Sequence, residues 1–189
     1  ISASGVPEFE FNLALAIEVK TELEKHQFKV RLIGERSDYA VLHHRTRDAT
    51  GADLFVSIHH DSVKEALLPQ AERFSGFSLF ISRSNPFPAK SLACAASIGA
   101  RMREGGFTPS RYHADAELGE SRPFADEANG VHYYDNLAVG RTAAMASVLV
   151  EAGVIVNREE EARMRDPGVR RRIAMAVAAG VRECLAKEE

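Results

Sequence analysis

Ala52-Asp53-Leu54-Phe55-Val56-Ser57-Ile58-His59-His60-Asp61 is an apolar run of strand composition that stops abruptly at two histidines and a carboxylate. The run predicts a buried strand over 54–58 that carries metal-ligand chemistry to the edge of a sheet. A second run, Ser147-Val148-Leu149-Val150-Glu151-Ala152-Gly153, repeats the pattern with a single glutamate and predicts a strand over 145–151. Helical periodicity surrounds both. Phe11, Leu15, Val19 and Leu23 recur every fourth residue, after Pro7 and with Glu8 and Glu10 placed where the helix dipole favours acids, so a first helix is expected over roughly 9–26.

Further strand and helix signals alternate along the chain. Phe28, Val30 and Leu32 alternate with Lys29 and Arg31, as in a strand with one polar face, and a helix is expected from about Asp38 to Ala49. Gly76 to Ile81 reads as another strand, and Pro86 to Pro88 as the turn before an alanine-rich helix reaching about Met102. Asn157 with the acids 159–161 marks a helix start, and Asp166-Pro167 opens a last helix to about Leu185. Between them, 105–136 lapses into Gly, Pro, Ser and acidic residues, the composition of a functional loop, read here as a lid or rim. The sum is an α/β fold: one domain with a mainly parallel twisted sheet flanked by helices on both faces.

Composition narrows the function. The 189 residues fit one domain, and a net charge of −3 leaves no basic field to grip a phosphate backbone, so nucleic acid is not an expected partner. Arg170-Arg171-Arg172 sits in a helical pattern and reads as a solvated helix face. No run approaches the roughly 18 apolar residues of a transmembrane segment. The chain opens on Ile1 rather than Met, so a processed or excised piece is expected. Cys94 and Cys184 fall among alanines in helical segments, where buried small hydrophobes are the expected identity rather than a disulfide.

In doubly wound sheets ligands bind beyond the carboxyl ends of the strands, and both His59 and Glu151 sit at that end of their strands. With Glu8 just before the first helix, the set is one imidazole and two carboxylates, which fits a zinc hydrolase but is one ligand short. Each residue also has an ordinary structural reading, Glu8 most of all, since a first-turn glutamate is explained by the dipole alone.

The stretches Glu8-Phe9-Glu10-Phe11-Asn12-Leu13, Ala52 to His59, and Val148-Leu149-Val150-Glu151-Ala152-Gly153 followed by Asn157 and Glu159 resemble the zinc-dependent N-acetylmuramoyl-L-alanine amidases in order and spacing. The resemblance implies an amidase/zinc-carboxypeptidase-like fold and hydrolysis of the amide between N-acetylmuramic acid and L-alanine in peptidoglycan. It further implies Zn2+ as cofactor, Glu8 and His59 as metal ligands and Glu151 as the catalytic carboxylate; Asn12 belongs to the same motif without an assigned role. That family carries a further histidine ligand after its first strand, so this strand and its histidine are expected upstream of residue 1. His60 is expected on the face opposite His59, His43 and His44 in a helix, and His113 and His132 in surface or substrate-contact roles in or beside the long loop. Peptidoglycan as partner implies a periplasmic or extracellular location at the cell wall, and a regulatory protein partner is a further expectation. Two alternatives stay open: a non-catalytic wall-binding or partner-binding domain of the same fold, and a zinc peptidase trimming stem peptides.

Overall fold

Three long helices form one layer, and each begins at a proline, whose fixed φ and missing N–H suit a first helical turn. In the computed structural model, which describes residues 1–35 and 42–186, α1 (Glu8–Glu24) follows Pro7, while α3 (Pro88–Glu104) and α6 (Pro167–Ala186) open on their own prolines. The stripe Phe11, Leu15, Val19 and Leu23 is buried on α1, as its spacing requires, and α6 buries Ile173, Val177 and Val181. These side chains share one core with Leu79, Ile81, Val131, Val148 and Val150 from the sheet. Gly180 on α6 allows closest approach: a Cβ there would stand 2.4 Å from the Ile98 Cα of α3.

Five strands make one sheet: β1 (Leu54–Asp61), β2 (Ser78–Ile81), β3 (Phe124–Asp126), β4 (Val131–Tyr133) and β5 (Ala146–Val154), in the order β1-β5-β2-β4-β3. The two sequence-legible strands, β1 and β5, lie side by side in parallel, and β2 pairs β4 in parallel. The β2–β5 and β3–β4 pairs are antiparallel, so the α/β sheet, expected to be mainly parallel, is mixed. Against its second face Phe80, Leu149 and Val139 of the short α4 (Ala138–Thr142) form a smaller core. The neighbouring α2 (Leu42–Asp48) is tied to α4 by a 2.9 Å contact between the Thr46 and Thr142 hydroxyls. Helices therefore cover both faces. The last strand hands over to α5 (Arg158–Arg165) through Asn157, whose Oδ1 accepts from the backbone N–H of Glu159 at 2.9 Å and caps the helix as its sequence signals.

Three further expectations need correction. Phe28 to Ile33 belongs to no strand; Phe28, Val30 and Leu32 are half-buried and Lys29 and Arg31 exposed, so the alternation holds without a ladder of hydrogen bonds. Between this segment and the outer edge of β1 runs a groove of ≈ 830 Å³, lined by Phe28, Val30, Leu54, Val56, Ile58 and, at its end, His59. The stretch 105–136 is not all loop, because β3 and β4 within it extend the sheet. Cys94 and Cys184 are joined as a disulfide between α3 and α6. Alanine-rich surroundings spoke for buried packing, and the cysteines are buried; what composition could not reveal is that two helices distant in sequence place them 4.9 Å apart at Cα. Of the helix expected over 38–49, the first part lies outside the described residues and the rest is α2.

Candidate active site

Register fixes the first two site residues. His59 and Glu151 stand directly opposite each other on β1 and β5, and Ser78 of β2 is opposite Glu151 in turn, so the three form one row across the sheet. Directly opposed residues point to the same face. The ladder shifts register just beyond, where Asp61 pairs with Val154, and such an irregularity re-aims the side chains beside it.

The N-terminus of α1 brings the third. Glu8 Oε1 lies 3.0 Å from His59 Nδ1, accepts from Asn12 Nδ2 at 2.7 Å, and accepts from the His60 backbone N–H at 3.3 Å. Burial alone would raise the Glu8 carboxyl, yet the hydrogen bonds from His59 and Asn12 and the His59 charge bring it down to about 2. His59 Nε2 meets the Ser57 hydroxyl at 3.1 Å. Glu8 and His59 thus converge, each with more than a quarter of its side chain open to solvent.

Glu151 is the opposite case. Its Oε2 is buried without a partner among the described residues, and its carboxyl is pushed well above the ordinary value by burial first and by the Asp61 and Glu8 charges second, with Arg122 opposing. An orphaned carboxylate oxygen beside two other acids is a site that a cation would stabilise. Among the described residues no group of three or more His, Cys, Asp or Glu side chains is arranged to hold a metal ion. Glu8 and His59 fit zinc in donor type, and they amount to two donors.

The connection after α3 is fastened to this end of the sheet. Tyr112 OH donates to Asp61, His113 Nε2 stands 3.0 Å from Asp61 Oδ2 and its Nδ1 3.1 Å from Glu120 Oε2, and Lys64 Nζ donates to the Gly119 carbonyl at 3.1 Å. Burial would lower the His113 pKa, but Asp61 and Glu120 raise it, and His113 holds Glu120 down to about 2. His132 on β4 is fully buried among Phe80, Phe124 and His113, and that burial lowers it to about 4, so it is a neutral ring inside the fold. Neither loop histidine touches Glu8 or His59. Sequence reasoning noted Asp61 only as the carboxylate ending the strand of His59, without a role, and passed over Tyr112.

The N-acetylmuramoyl-L-alanine amidase family model matches residues 1–183. The chain belongs to this family. Solved amidases share its fold: Ami1 of Mycobacterium smegmatis superposes with a TM-score of 0.81 at 21% identity, over 99% of this chain and 81% of that one. The catalytic domain of CwlV from Bacillus (Paenibacillus) polymyxa var. colistinus gives 0.75 at 26% identity, over 98% and 89%. AmiC2 of Nostoc punctiforme gives 0.74 at 21%, over 98% and 88%. No curated protein matches the amidase chain significantly. Its reaction is hydrolysis of the amide that joins the stem peptide to N-acetylmuramic acid in the cell wall.

Proposed function

We propose that this amidase holds zinc with Glu8 and His59 and that Glu151 is its catalytic carboxylate. The observation that carries the reading is the convergence of Glu8 on His59 at 3.0 Å with Glu151 opposite His59 in the ladder. Zinc bound there supplies Lewis acidity, polarising a carbonyl and lowering the pKa of water. Glu151 takes the proton of the attacking water on a carboxylate oxygen and delivers it to the amide nitrogen as the C–N bond breaks. The products are the muramyl carboxylic acid and a stem peptide with a free L-alanine amine. Burial of Glu151 beside Asp61 and Glu8 raises its proton affinity, which favours the first of these transfers.

A third donor belongs on an additional strand, and the groove along β1 supports that placement. Val56 and Ile58 are half-buried where their neighbours on β5, Val148 and Val150, are fully buried, and the outer edge of β1 pairs with no strand among the described residues. Edge backbone and half-covered apolar side chains both favour another strand. One running along the groove would end beside His59 and Glu8, where the expected histidine of the family's first strand is needed.

Location outside the cytoplasmic membrane follows from the substrate and is supported by the buried disulfide, since such bonds persist in oxidising compartments. No helix among the described residues is long and apolar enough to cross a membrane. A regulatory protein partner is in keeping with one structural neighbour, the Clostridioides difficile CwlD amidase, solved in complex with the GerS lipoprotein.

The test is digestion of purified peptidoglycan by the zinc-supplied chain. Stem peptides released intact with a new L-alanine amine, and lost in Glu151→Gln, support the assignment; trimmed stems, or turnover that survives Glu151→Gln, overturn it.

A further inference from the structure

His60 stands next to the proposed ligand in sequence yet faces the other side of β1, as strand alternation requires, and only 4% of it is exposed. It lies under the first turns of α1, its ring centroid 5.6 Å from that of Phe11. A core histidine among apolar side chains would be better replaced by an apolar residue unless its ring nitrogens had work to do. One of them does: His60 Nδ1 is 2.9 Å from Asn12 Oδ1, and the same amide sends its Nδ2 to Glu8 Oε1 at 2.7 Å.

The donor and acceptor inventory fixes every proton along this path. Glu8 is an acceptor, so the amide must present Nδ2 to it, which turns Oδ1 towards His60. Oδ1 only accepts, so His60 must carry its proton on Nδ1. The His60 backbone N–H adds a second donor to Glu8 Oε1 at 3.3 Å. Asn12 Nδ2, His60 N–H and His59 Nδ1 all meet the one oxygen Oε1, and no hydrogen bond to Oε2 occurs among the described residues.

We infer that Asn12 and His60 are positioning residues: the relay His60 Nδ1–H to Asn12 to Glu8 Oε1 fixes the rotation of the Glu8 carboxylate and leaves Oε2 free for the metal. This rests on the reading of Glu8 as a ligand. The amide sits one helical turn beyond the carboxylate, the spacing at which two side chains on one helix face meet, while the imidazole comes from β1 and ties that turn to the strand bearing His59. Outer-shell groups of this kind orient ligands and commonly change metal affinity roughly 10- to 100-fold when removed.

Two measurements on the 189-residue chain test it. Histidine ring ¹⁵N spectra of the metal-free protein report the tautomer: His60 is expected in the Nδ1–H form, with that preference lost in Asn12→Ala. Zinc affinity by competition with a chromophoric chelator is expected to fall roughly 10- to 100-fold in Asn12→Ala and in His60→Phe, which keeps a ring but no donor. In Asn12→Asp, which keeps the shape but cannot donate to Glu8, affinity is expected to fall although the metal-free protein still melts cooperatively. An Nε2–H tautomer in the parent, or zinc affinity unchanged in folded Asn12→Ala and His60→Phe, overturns the relay. A parent chain that takes up no zinc would show that Glu8 and His59 do not hold the metal without a third donor, and the tautomer would still decide whether the relay exists.

Discussion

His59 Nδ1 and Glu8 Oε1 meet at 3.0 Å across 51 residues of chain, joining the end of an edge strand to the first turn of a helix. Two groups of opposite charge tendency at that distance either form an isolated pair or share a cation. Glu8→Ala and His59→Ala are each expected to abolish zinc uptake measured by elemental analysis. The metal-free fold should lose little, since both side chains are partly solvated and pairs of that kind contribute about 0–1 kcal/mol. Stoichiometric zinc in either purified variant would remove that residue from the ligand set.

Glu151→Gln separates chemistry from stability. Turnover on peptidoglycan is expected to fall by about 10²–10⁴, the usual contribution of a positioned acid–base group. Stability should move the other way. A carboxyl raised in the folded state makes unfolding release its proton above the ordinary value of 4.5, so the metal-free parent loses stability as pH rises past that point. The glutamine variant has no such contribution and should gain on the parent as pH rises above 4.5 in thermal melts. A variant that instead loses ground as pH rises would show that Glu151 is held as a charged group.

Reduction of Cys94–Cys184 should be costly, because the bond closes a loop with a sequence separation of 90. Chain-entropy arguments put its contribution at about 4–5 kcal/mol, or roughly 10–20 °C in melting temperature for a domain of this size. Calorimetry of the oxidised protein against Cys94→Ala/Cys184→Ala measures it directly; coincident melts would mean that the helix packing alone holds this side together.

The His113–Glu120 pair gives a bell-shaped pH signature. The histidine is raised in the fold, so its contribution is complete below 6.5 and fades as pH climbs through the higher folded value. The glutamate is lowered to about 2, so its contribution is complete above 4.5 and fades as pH drops towards the folded value. The melting difference between parent and His113→Gln should therefore peak between 4.5 and 6.5 and shrink on both sides. A difference independent of pH would assign His113 a packing role only.

Gly180→Ala should destabilise strongly, since its Cβ would meet the backbone of α3 and not a movable side chain. Overpacking of this sort costs about 1–3 kcal/mol and more when neither helix can retreat. Denaturant unfolding reads the loss, and an unaffected midpoint would mean that the helices can separate.

Strong local signals were legible in the sequence. β5 announced itself because a strand inside the sheet needs an unbroken apolar run, β1 by the same kind of run although it lies at the edge, and α1 because its stripe repeats every fourth residue. The convergence of Glu8, His59 and Glu151 at one end of the sheet followed from strand polarity and the family motif. What stayed hidden depended on partners. Phe28 to Ile33 alternates like a strand but has no ladder, and periodicity reports burial of alternate side chains, which it does achieve, not hydrogen bonding. β3 and β4 are three residues each, too short to show any period. The cysteine pair and the link from His60 through Asn12 to Glu8 join segments dozens of residues apart, and alternation alone sent His60 to the far face without saying what waits there.

The covalent link between α3 and α6 makes the molecule mechanically uneven. The half of the sheet beneath those helices is stapled and close-packed, whereas β1 has one open side and the helix that carries Glu8 has no covalent link to its neighbours, being held by packing, hydrogen bonds and the Arg170–Glu18 ion pair. Under native conditions amide exchange should consequently run as a gradient, slowest along β5 and α6 and fastest along α1 and the outer face of β1. The proposed metal-binding half is then the half that opens first, and whatever closes it, whether ion or strand, sets the durability of the whole enzyme.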